Sequence, residues 1–200
     1  MTAWMEVASQ LNDLARAIAK PIRKEDLGLV LKDAKHVIVG NSGVGRYLEG
    51  FVMLPGFRAT NKREAIEKLV AAVAKANPNH VKSVAAAVEA VMKREASMPT
   101  GLDCGIAVPH GRSSEVVGIS GAVAVLDNSG TANGCLPDYE TIDNSPVQVI
   151  VLTLANSETQ TPYLQLMSFI SKALRANEGY RRLLAAKTPE EMRQFFRTVK

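Results

Sequence analysis

Residues 116–126 read VVGISGAVAVL, and no charged side chain interrupts them. The run is apolar, rich in β-branched residues and too short for a helix that would bury it all round. It reads as a strand covered on both faces. Residues 147–154, VQVIVLTL, repeat the pattern. Between them, 127–146 is crowded with Asn128, Gly130, Asn133, Gly134, Pro137, Asn144 and Pro146, and is expected to be an exposed excursion.

Helical periodicity flanks these strands. Asn61 is placed to cap a helix, with Glu64 three residues on as in a capping box, and Ile66, Leu69, Val70 and Val73 form the apolar stripe. After the Pro78-Asn79 turn, a second helix is expected over about 80–95, with Val81, Val84, Ala85, Val88 and Met92 inward. Thr161-Pro162 opens a helix carrying Leu164, Met167, Ile170, Ala173 and Leu174, and Gly179 breaks it. Thr188-Pro189-Glu190-Glu191 is a capping box for a last helix, with Met192, Phe195, Phe196 and Val199 on one face. Two helices, then strands, then two or three helices describe an α/β sandwich: a mixed central β-sheet flanked by helices.

Residues 50–60, GFVMLPGFRAT, read as a Gly/Pro-punctuated connection, and the domain boundary is placed there. Residues 1–50 are then an N-terminal helical extension with a glycine-rich turn: an amphipathic helix over 3–19, Pro21 ending it, and a short strand at 35–40. Trp4 in that helix reads as a packing anchor. Residues 51–200 form the main domain.

Net charge is +4, with 15 basic and 10 acidic residues in 1–100 against 9 and 10 in 101–200. The excess is mild and lacks aromatic interleaving, so nucleic acid is not an expected partner. No stretch reaches the roughly 18 to 20 apolar residues of a membrane span. Acidic and polar residues break up the first 20 positions, unlike a signal peptide. A cytoplasmic protein is expected. Cys104 and Cys135 form no CxxC pair, and His36, His80 and His110 have no metal-ligand spacing, so no metal is expected.

The chemistry concentrates in 94–112, REASMPTGLDCGIAVPHGR. His110 follows a strand-like run, Gly105-Ile106-Ala107-Val108, and the stiff Pro109. A neutral imidazole is a nucleophile at pH 7. Gly111 would let a bulky anion approach the backbone. Arg94 and Arg112 would offer charge-assisted bonds to phosphate oxygens, and Thr100, Ser113 and Ser114 further donors.

These residues resemble the signature of the mannitol/fructose-type EIIA domain of the bacterial phosphoenolpyruvate-dependent sugar phosphotransferase system, including its nitrogen-regulatory branch. The resemblance rests on Arg94-Glu95, Thr100-Gly101-Leu102, Gly105 to Gly111, Asp143-Asn144-Ser145-Pro146-Val147 and the helix around 163–174, and covers about residues 51–200. It implies a mannitol-type EIIA sandwich in which His110 accepts a phosphoryl group, Arg94 stabilises it, and Thr100, Gly111, Arg112 and Tyr163 support it. It implies an HPr-like phosphocarrier as donor, and an EIIB component or a regulated transporter or regulator as recipient, with no cofactor. It leaves a homo-oligomer open. Tyr163 stands where the family usually has a second histidine. The alternative is a non-catalytic regulatory module that controls a target protein.

Two further patterns compete. Cys104, six residues before His110, invites a Cys-His nucleophile pair, but no third orienting group is legible and a small inert thiol is the simpler reading. Residues 40–47, Gly40-Asn41-Ser42-Gly43-Val44-Gly45-Arg46-Tyr47, have P-loop glycine spacing. Arg46 and Tyr47 replace the Lys and Ser/Thr that would hold phosphate and Mg²⁺, so the segment reads as a turn.

Overall fold

The computed structural model describes residues 45–127, 136, 138–158, 161–175 and 179–198. The expectations for the 3–19 helix, the 35–40 strand, most of the glycine-rich turn, Cys135 and Val199 lie outside them. In chain order the elements are α1 (Gly45–Glu49), β1 (Val52–Phe57), α2 (Lys62–Ala76), α3 (Val84–Ser97), β2 (Ile106–Ala107), β3 (His110–Arg112), β4 (Ile119–Leu126), β5 (Val149–Ala155), α4 (Thr161–Arg175), α5 (Gly179–Ala185) and α6 (Pro189–Thr198).

The two apolar runs are the central strands, buried at every position. They pair antiparallel from Ile119↔Ala155 to Val125↔Val149. β1 lies parallel on the outside of β4. The short β2 and β3 follow one another along the far edge of β5, both parallel to it. The sheet is mixed, as the element order predicts.

Alternation along the central strands feeds two cores. Ala122, Ala124, Ile150 and Leu152 meet Ile66, Leu69, Val70, Val88 and Val91 of α2 and α3. Val123, Val125, Val149 and Val151 meet Leu166, Ile170, Leu183, Met192, Phe195 and Phe196 of α4 to α6, with Leu48 and Phe51. Each such side chain contributes about 1.5–3 kcal/mol by leaving water. Leu48 and Phe51 both sit in this second core, so packing begins ahead of β1. Arg197 adds a bidentate pair to Glu49, at 2.7 Å from each oxygen, that ties α6 to α1.

Both capping boxes form, each with a twist. The amide of Glu64 donates to Asn61 Oδ1 at 2.9 Å, and that of Glu191 donates to Thr188 Oγ1 at 3.2 Å. The glutamate of each box reaches one residue further back than expected, to the amides of Thr60 and Lys187.

Three expectations are corrected. Residues 52–57 are a strand, not a connection. Pro55 is tolerated because β1 is an edge strand, and Gly56 (φ 68°) absorbs a bulge where the register shifts between Pro55 and Phe57. The second helix starts after the Ser83 cap and turns Ala87, Val88, Val91 and Glu95 inward, while Val84 is 40% exposed. The 127–146 excursion is anchored, with Leu136 and Tyr139 buried. No helix among the described residues is long and apolar enough to cross a membrane.

Candidate functional site

The loop into His110 is tied at several points. The amide of Leu102 donates to the Ile106 carbonyl at 2.7 Å, and that of Val108 to the Thr100 carbonyl at 3.1 Å. Cys104 (φ 59°) and Gly105 (φ 69°) turn the chain through the left-handed region. At Gly105 a Cβ would stand 2.3 Å from the Pro146 carbonyl oxygen, so only glycine fits. Asp143 braces the turn. Its carboxylate accepts from the Cys104 amide at 2.9 Å, the Ser145 amide at 3.0 Å and the Ser145 hydroxyl at 2.7 Å. These bonds hold Asp143 down at about 2, led by the Ser145 hydroxyl. The segments 100–111 and 143–147, far apart in sequence, are thus one structure.

Pro109 separates β2 from β3. It has no N–H to give, yet its carbonyl accepts from the Thr153 amide at 3.0 Å, so the edge of β5 stays paired. His110 is the first residue of β3. Its Nδ1 lies 2.9 Å from the Val108 carbonyl oxygen. A carbonyl only accepts, so the neutral ring carries its proton on Nδ1 and the lone pair is on Nε2. Nε2 has no partner among the described residues and is not one of their sealed, unpaired polar atoms, so it opens to solvent. Burial pushes the His110 pKa below 6.5; the Val108 bond and Glu95 pull it up, Arg94 pulls it down. The ring is neutral at pH 7.

Gly111 also has a packing role. A Cβ there would be 2.8 Å from both the amide nitrogen and Cγ2 of Val91. The missing side chain lets α3 press onto β3, and Arg94 sits one helical turn beyond Val91. Arg94 also caps its own helix, with Nη1 donating to the Met98 carbonyl at 2.8 Å. Its charge is felt at His110 and at Tyr163.

Thr100 is also corrected. Its hydroxyl is committed to the buried Glu95 carboxylate, with its amide 3.3 Å from the other oxygen and Tyr139 Oη 3.3 Å from the hydroxyl. It is a support beneath the site, not a free donor. Arg112 donates to the Ser157 carbonyl. Ser113 Oγ accepts from the Glu115 amide at 3.1 Å, which makes it a turn former. Tyr163, at the start of α4, lies against His110 with ring centroids 5.8 Å apart and tilted 52°. Burial pushes it up to about 12, against the pull of Arg94 and Arg112. It is an uncharged donor in the field of Arg94 and Arg112. Cys104 is exposed, and its amide serves Asp143.

Sequence reasoning missed one residue. Thr153 is fully buried, pairs in register with His110, and its Oγ1 has no partner. In sequence it is only one more β-branched residue in an apolar run.

The family model for the phosphoenolpyruvate-dependent sugar phosphotransferase system, EIIA 2, matches residues 50–199. A nitrogen regulatory protein of Bradyrhizobium diazoefficiens is 27% identical over 135 residues, 68% of this chain and 82% of that protein. The 2-O-alpha-mannosyl-D-glycerate-specific EIIABC component of Escherichia coli is 31% identical over 135 residues, 68% of this chain and 20% of that longer protein. The crystal structure of nitrogen regulatory protein IIA-Ntr from Neisseria meningitidis superposes with a TM-score of 0.59 at 21% identity, covering 78% of this chain and 99% of that one. At that identity the likeness is one of fold.

Proposed function

Because this chain belongs to the EIIA 2 family of the phosphoenolpyruvate-dependent sugar phosphotransferase system, we propose that it is a phosphoryl carrier whose acceptor atom is His110 Nε2. The observation that carries the reading is a neutral imidazole, its proton held on Nδ1 by the Val108 carbonyl, whose Nε2 lone pair has no partner among the described residues and whose ring feels the charge of Arg94.

The donor is a phosphohistidine on an HPr-like carrier. As the new N–P bond forms at Nε2, the donor's N–P bond breaks and its electron pair returns to the donor ring. The transferring group carries negative charge throughout, so catalysis is positioning and charge stabilisation. Arg94 and Arg112 supply positive field, and Tyr163 an uncharged O–H. The group then passes to an EIIB partner. The relative that joins EIIA, EIIB and EIIC components in one chain supports that direction.

The second reading is regulatory. Tyr163 in ring contact with His110 and the nitrogen regulatory relative favour a protein whose phosphorylation state sets its affinity for a target.

Incubation with phosphoenolpyruvate, enzyme I and HPr, followed by intact mass, tests the carrier reading. One acid-labile phosphoryl group is expected, and none on His110→Ala. A folded wild-type protein that gains nothing would leave only a module that binds its target without being phosphorylated.

A further inference from the structure

We propose that the Thr153 hydroxyl is a positioning donor held in reserve for the phosphorylated form of His110. This rests on reading His110 as the acceptor. In a parallel ladder, paired residues project from the same face about 4.8 Å apart. The register His110↔Thr153 therefore sets the two side chains on the same face of neighbouring strands.

Apolar side chains flank Thr153 toward β4 and along β5. Its neighbour on β4 is Gly121, where a Cβ would be 2.3 Å from Phe51 Cε2, so the Phe51 ring fills that position. Along β5 the same-face neighbours are Val151 and Ala155, both buried. Its backbone amide is satisfied by the Pro109 carbonyl, but Oγ1 has no partner. Among the described residues it is the sole sealed side-chain polar atom left so. A valine would fill the same volume at lower cost, because an unmet buried hydroxyl is destabilising. The imidazole, with Tyr163 against it, is the polar group that the register sets beside Thr153. In the resting protein its Nδ1 is engaged by Val108 and Nε2 lies beyond hydrogen-bonding reach of Oγ1.

Phosphorylation changes this inventory. When Nε2 takes the phosphoryl group and the donor's N–P bond breaks, three anionic oxygens arrive at the imidazole. The Thr153 O–H donates to one of them and keeps its proton. The hydroxyl is unmet in the resting state and met in the charged state, so it favours holding the group over lacking it.

The test uses the full chain and a phosphohistidine carrier charged from phosphoenolpyruvate. Thr153→Val should melt at or above the wild-type temperature when unphosphorylated, yet its equilibrium constant for phosphoryl exchange with the carrier should fall about tenfold. Thr153→Ser should restore exchange to within about twofold of wild type by returning the hydroxyl. Exchange unchanged in Thr153→Val, with wild type charging normally, overturns the inference and leaves the carrier reading intact. A Thr153→Val protein melting well below wild type also overturns it, since the hydroxyl would then already hold a resting partner. A folded wild-type protein that takes no phosphoryl group removes both.

Discussion

Gly111 lies so close under Val91 that a methyl group on its Cα would come within 2.8 Å of both the Val91 amide nitrogen and Cγ2. One of those atoms belongs to the helix backbone, so a side-chain rotation alone does not relieve the contact. Gly111→Ala must push α3 outward, and Arg94 moves with it. A stability loss of about 1–3 kcal/mol is expected in urea unfolding. Phosphoryl uptake should slow about 10- to 100-fold under conditions where the variant is fully folded, because the cation is displaced from the imidazole.

His110 gives the protein a pH signature. Its pKa in the folded chain is below 6.5, chiefly through burial, while the unfolded chain titrates near 6.5. Folding therefore disfavours the protonated ring. The associated stability is complete above pH 6.5 and is lost as pH falls through the lowered value. Urea unfolding across that window should show a steeper acid-side decline in wild type than in His110→Gln. The acid limb of phosphoryl uptake should lie below pH 6.5, and an NMR titration of the imidazole should give the same midpoint.

Tyr163 stays protonated at neutral pH, since its pKa is about 12. Tyr163→Phe should leave the melting temperature nearly unchanged and slow phosphoryl uptake about 3- to 10-fold through loss of one donor. Tyr163→His should speed uptake about tenfold where the new ring is protonated, because a charged donor binds phosphate more strongly. Tyr163→Ala should cost about 3–5 kcal/mol by opening a cavity, and should raise the His110 titration midpoint toward 6.5 by hydrating its ring.

The Glu95 carboxylate is 3% exposed and takes both the amide and the hydroxyl of Thr100. Thr100→Val removes the hydroxyl while keeping the shape. A loss of about 1.5–3 kcal/mol is expected, the range for bonds to a buried charged acceptor. Thr100→Ser should recover most of it. Chemical denaturation of the three proteins in parallel decides the matter.

The central strands and the two capping boxes were legible because each rests on a local rule: an unbroken apolar run, or a short polar residue ahead of a periodic stripe. β1 was not. Pro55 and Gly56 are ordinary signs of a break, and only the partner strand β4 makes 52–57 an edge strand with a bulge. His110 and Arg94 are proposed from the motif they carry, whereas the packing of Gly111 and Thr100 depends on α3 and Glu95 set against them. Thr153 left no mark in sequence. A hydroxyl without a partner is invisible until its neighbours are known.

The acceptor for the His110 ring proton belongs to the main chain of Val108. Every residue type offers that carbonyl, so no single codon change at position 108 deletes it. Side chains around the imidazole, Tyr163 among them, can be exchanged without touching that bond. Which nitrogen reacts is inherited with the path of the polypeptide itself.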